Sequence, residues 1–122
     1  MEGISGDFEY KNGVWRAAWH TRKDRILKVL VMGGADFMQS QSVPVQLQNL
    51  MNAIDDSIDK ASTFASDSEY REDISFADGI VANSVVVSKW DDLKIWFSLR
   101  GTERLIGVRM HKNEPVDVFC EV

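Results

Sequence analysis

The sequence predicts an α+β domain: a largely antiparallel sheet in the order β-β-β-α-β-β-β-β packed against one long helix. Three observations predict it. Apolar residues recur with helical spacing only between Val43 and Ala65. Period-two alternation occupies nearly everything after Ile80, and an Asn-Gly pair joins two alternating runs near the start. With 122 residues, 44% hydrophobic and 27% charged, residues 1–122 read as one globular domain able to bury a single core.

The first hairpin is Asp7–Tyr10 and Val14–His20 around Lys11-Asn12-Gly13, where Asn and Gly both accept positive φ at little cost. In its second strand Trp15, Ala17 and Trp19 share one face, and the size of the indoles makes that the core face. After the charged turn 21–24, Ile26–Met32 is almost continuously apolar, the pattern of a central strand covered on both sides. Gly33-Gly34 ends it. Without GxGxxG or GxxxxGK[ST], and with eight or more residues before the helix, these glycines make no phosphate loop.

In the helix Val43–Ala65 the apolar face is Val43, Leu47, Leu50, Met51, Ile54, Ile58, Ala61 and Ala65, with Pro44 in the first turn. Ser62 to Ser68 marks its decay without a glycine cap. Residues 67–78, with Tyr70, Ile74 and Phe76, fit either a short helix or an irregular loop. Four alternating runs follow, separated by turns at 90–92, 101–103 and 112–115; links this short imply an antiparallel meander. Cys120 alternates with Val118 and Val122, so it faces the core as a small hydrophobe.

Charge is unevenly spread. Residues 35–78 hold nine acidic residues and two basic ones, while the chain as a whole carries −5. Such a field repels nucleic acid and attracts basic partners; its plainer reading is solubility. The single cysteine rules out an intrachain disulfide and a four-cysteine zinc site and suggests a reducing cytoplasm. No apolar run is long enough for a membrane span, and no secretory signal is expected.

No residue pattern specifies catalysis. His20 and His111 read as exposed strand histidines, because nothing in the spacing brings them together beside a carboxylate. Asp55, Asp56, Asp59 and the pair Asp91-Asp92 lack the spacing of a calcium loop, so neither metal nor cofactor is expected. Trp96 shares a sheet face with Lys94 and Arg100, the one aromatic–basic combination that suits base stacking, but the overall acidity argues against nucleic acid.

The opening hairpin Phe8-Glu9-Tyr10…Trp15-Arg16-Ala17, the apolar strand at Ile26–Met32, the helix Val43–Ala65 and the closing strands Leu105–Val122 give an order of elements that resembles small bacterial toxin-immunity proteins. The resemblance covers most of the chain in topology and carries no site residue by motif. It implies an acidic, cytoplasmic, non-enzymatic protein that binds and neutralises a basic partner. The acidic helix face and the loop after it would make the contact, through Asp55, Asp59, Asp67, Glu69, Tyr70, Glu72 and Asp73, with Trp96 as an aromatic anchor. Two other readings stand beside it. One is a small-ligand domain or enzyme with a helix–sheet cleft lined by Trp15, Trp19, His20 and His111. The other is a homodimer paired through an open sheet face at Trp96 and Phe119.

Overall fold

The computed structural model describes residues 3–21, 23, 25–32, 48–89 and 91–121. Its strands are β1 (Gly3–Lys11), β2 (Val14–His20), β3 (Ile26–Met32), β4 (Ile80–Lys89), β5 (Asp92–Leu99), β6 (Leu105–His111) and β7 (Glu114–Glu121). Among the described residues between β3 and β4, a helical stretch at 48–51 is followed by α1 (Ile54–Ser66) and α2 (Arg71–Phe76). The hairpin and the meander join one seven-stranded sheet whose strands lie in chain order.

Every neighbouring pair is antiparallel except β3 and β4, which run parallel with Val29 opposite Val85. The sheet is therefore mixed, which corrects the antiparallel expectation. A strand, a helical crossover and a return to the adjacent strand must give a parallel pair when the crossover spans the length of the sheet. The expected single helix is also interrupted. Residues 48–51 are helical, Asn52 and Ala53 form a turn, and α1 begins at Ile54. The Ala53 N–H bonds Leu50 O at 3.3 Å, a tighter i−3 contact that breaks the ladder while Met51 and Ile54 both stay buried across it. The helix start expected at Val43 and Pro44 lies outside the described residues. Residues 71–76 take the helical form of the two forms the sequence allowed.

Alternation sorts the strands cleanly. Trp19, Leu27, Val29, Val31, Val85, Val87, Leu93, Ile95, Phe97, Ile106, Val108 and Met110 are buried on one face, beneath α1. On α1 the inward positions are Ile54, Ile58, Ala61 and Ala65; the two alanines are fully buried and let the helix settle closely on β6 and β7. Trp15 packs against this core beside buried Ala17 and Trp19, as their shared face predicts. β3 departs from expectation: Ile26, Lys28 and Met32 are exposed between buried Leu27, Val29 and Val31. Its apolar run is covered on one side only among the described residues.

Turn chemistry fixes the register at two of the hairpins, β1–β2 and β6–β7. Asn12 and Gly13 have φ of 54° and 79°, and Lys112 and Asn113 have 50° and 65°, the pair of positive angles that matches strand twist. Edge strand β7 has Pro115 as its second residue, has a bulge opposite Arg109 and Met110, and has the Val118 N–H bonded to Asp117 Oδ1 at 3.0 Å. These features blunt an edge against further pairing.

Candidate functional site

Two surfaces concentrate chemistry, one on each side of the sheet. The helical side holds most of the acidic residues that the sequence singled out, and much of that charge is answered from within the chain. Arg25 Nη1 reaches Asp55 Oδ1 at 2.7 Å, and Lys23 Nζ reaches Asp59 Oδ2 at 2.6 Å. The Lys23 N–H also donates to Asp55 Oδ2 at 3.2 Å. The charged turn before β3 thus clasps the first two turns of α1. Hydrogen bonding from Lys23, reinforced by its charge and that of Arg25, holds the Asp59 carboxyl below the usual carboxylate range. On the opposite flank Lys60 spans Asp56 and Glu114, and the Ser57 hydroxyl donates to Asn113 Oδ1.

Past α1 the chain turns through Ser68, whose Oγ donates to Ala65 O at 2.6 Å and accepts the Tyr70 N–H at 3.1 Å. This corner places Asp67, Glu69 and Glu72 outward around a shallow hollow of about 480 Å³ with Arg71. Asp73 points instead to Arg104 Nη1 at 2.7 Å, and Arg104 Nη2 donates to Cys120 Sγ at 3.2 Å. Those two partners raise the Arg104 guanidinium further above its usual range. Tyr70 and Ile74 pack inward, while Phe76 at the end of α2 is 88% exposed. Phe76 stands four residues after Glu72, on the same helical face. Asp67, Glu69 and Glu72 are therefore brought together at the corner, and Asp55, Asp59 and Asp73 are drawn into ion pairs.

Trp96 lies on the other side, away from all of these. Two adjacent rows of residues cross this face: Arg16, Leu30, Val86, Lys94, Arg109 and Asp117, and then Ala18, Lys28, Ser84, Trp96, Gly107 and Phe119. The Trp96 ring lies over Gly107, where a β-carbon would come 2.6 Å from Cζ3. A glycine in mid-strand opposite an aromatic is the arrangement in which the ring covers exposed backbone. Lys94 Nζ sits 5.2 Å from the centre of the Phe119 ring, a cation–π contact that crosses β6 diagonally. Arg109 grips Asp92 through Nε and Nη2 at 3.1 and 3.0 Å, which lowers the carboxyl and raises the guanidinium. No described helix lies on this face.

The two histidines do not meet. His20 is opposite Ile26 at one end of the sheet, and His111 is opposite Asp92 and Glu114 at the other, four strands away. His111 Nδ1 is buried without a hydrogen-bond partner among the described residues. A helix–sheet groove of about 410 Å³ exists, but Arg25, Ile58, Asp59, Ile80, Ala82 and Phe97 are among its walls rather than Trp15, Trp19 and the histidines. Among the described residues no group of three or more His, Cys, Asp or Glu is placed to hold a metal ion. No described helix is long and apolar enough to cross a membrane.

Sequence reasoning missed Lys23, Arg25 and Arg104 as partners of the acidic residues, since ion pairs 30 to 36 positions apart leave no local pattern. It also missed Gly107, although a lone glycine inside the alternating run Leu105–Met110 is a legible signal of close approach.

The fold and these surfaces define an α+β domain with a mixed sheet, helices on one face and an opposite face left open by the described residues. Comparison with protein-family models, curated proteins and solved structures found no match.

Proposed function

We propose that this chain is a non-enzymatic binding protein of the inhibitor type, which neutralises a basic protein partner through the corner between α1 and α2. The observation that carries the reading is Phe76. A phenylalanine 88% exposed on the same helical face as Glu72, which itself meets outward Asp67 and Glu69, pairs an apolar anchor with acidic neighbours. Interfaces of this kind draw residence time from a buried aromatic and association rate from surrounding charge. The footprint centres on Asp67, Glu69 and Glu72, with Tyr70 packed inward beneath them. Asp55, Asp59 and Asp73 support it from behind, because their carboxylates already serve Arg25, Lys23 and Arg104. The single cysteine supports a reducing, cytoplasmic setting.

The test is binding kinetics of a captured partner against two variants. Neutralising Asp67, Glu69 and Glu72 to Asn or Gln should slow association and flatten its salt dependence. Phe76→Ala should speed dissociation and leave association nearly unchanged. If both variants bind as the wild type does, the corner is not the contact surface.

The groove beside α1 favours a second reading, a small-ligand site. Its floor of Ile58, Ile80, Ala82 and Phe97 is apolar, and the Arg25–Asp59 pair at 3.7 Å stands at its rim. Retention of a metabolite that is lost on Ala82→Leu would support it.

A further inference from the structure

The open face of the sheet has a charge opposite to that of the helical side. Arg16 and Lys28 are exposed on it, and Lys94 and Arg109 stand with them around half-buried Leu30, Val86 and Trp96. Among the described residues of this face, Asp92 is gripped by Arg109 and Asp117 accepts the neighbouring Val118 N–H, while Glu121 stands exposed opposite Leu105 near the end of β7. We infer that this face is a second docking surface, independent of the acidic corner, for a segment of another protein that carries carboxylates beside apolar side chains.

Charge complementarity chooses this occupant over the others. A second copy docked face to face would bring two sets of Arg16 and Lys28 into one interface, where Asp92 and Asp117 are already engaged. A polyanionic nucleic acid must approach a molecule of net charge −5. It would also find the Phe119 ring already occupied by Lys94, which leaves Trp96 as the platform. A protein segment brings few charges and can place apolar groups on Leu30, Val86 and the outer face of the Trp96 ring. The geometry also sets a spacing. With strands roughly 4.8 Å apart, Arg16 on β2 and Lys94 on β5 stand about 14 Å from each other. An extended chain rising about 3.3 Å per residue spans that distance in about four residues. Carboxylates four positions apart with Leu or Phe between them therefore match.

The experiment uses the full chain and labelled peptides of about nine residues, with Glu at four-residue spacing and Leu or Phe between, followed by fluorescence anisotropy. Scrambled peptides and an oligo(dT) strand are run alongside, and sedimentation measures self-association. Arg16→Glu with Lys28→Glu reverses two exposed charges that touch no core residue, and Trp96→Phe keeps a ring at the centre. The expected result is binding of the spaced peptides above the scrambled ones, weakened about tenfold or more by the double reversal. Binding to oligo(dT) that the reversal abolishes would overturn the proposal in favour of a nucleic acid. A dimer dissolved by the reversal would overturn it in favour of self-pairing, and absence of peptide binding would overturn it outright. Variants at Asp67, Glu69 and Glu72 should leave peptide binding unchanged, so the two surfaces stand or fall separately.

Discussion

The indole of Trp96 rests on Gly107 so closely that three of its ring atoms would lie within 2.8 Å of a β-carbon at that position. Gly107→Ala must push the ring off the sheet, at a cost of about 1–3 kcal/mol from overpacking. The coupling identifies the cause. Placed on a Trp96→Ala background, Gly107→Ala should add little to the loss of stability, so the double variant costs less than the sum of the singles. Denaturant midpoints of the four proteins decide this.

The clasp of Arg25 on Asp55 joins the β2–β3 turn to the helix, with the Asp55 side chain only 14% exposed. Arg25→Met strands that carboxylate and should cost about 1–3 kcal/mol in thermal or chemical unfolding. Arg25→Lys should recover only part of it, because an ammonium cannot reproduce the guanidinium fork.

Asp59 and Asp92 have carboxyls held below their ordinary value of 3.8, by hydrogen bonds from Lys23 and Arg109 respectively. Groups with a lowered folded value bind fewer protons in the folded state. Their stabilisation is therefore present above about pH 4 and is lost as the pH falls through the lowered values. Asp92→Asn should lower the neutral plateau and so flatten the acid limb, with the variant and the wild type converging at the acid end. Unfolding midpoints between pH 2 and pH 7 check the sign.

Arg104 ties α2 to the sheet by donating to Asp73 and to Cys120. Arg104→Met should speed amide exchange across residues 71–77 and leave β5 and β6 protected. Hydrogen exchange read by mass spectrometry separates this local loosening from general destabilisation.

Much of the fold is legible because alternation and turn chemistry act locally. Asn12-Gly13 announces its hairpin, Trp15, Ala17 and Trp19 announce their face, and the four closing strands follow from period two. The parallel contact of β3 with β4 is not legible in this way, because nothing in Val29 or Val85 records which strand the chain returns beside. Nor does apolar content reveal that Ile26, Leu30 and Met32 face outward, since a run apolar on both sides carries no alternation to read. The break at Asn52-Ala53 is masked by an apolar rhythm that continues from Met51 to Ile54. At the candidate corner, the sequence supplies the acidic residues but not their fates. Asp55 and Glu72 look alike in sequence, and only the fold brings Arg25 to one and leaves the other outward.

The central claim is that the corner of Asp67, Glu69 and Glu72, with Phe76 one turn beyond Glu72, contacts a basic protein. It is tested most directly by affinity capture from a lysate of the protein's own source, with wild type and the triple neutralised variant side by side at low and high salt. The account predicts one stoichiometric basic partner on the wild type, released by salt and absent from the variant. The same partner held equally by the variant would contradict it.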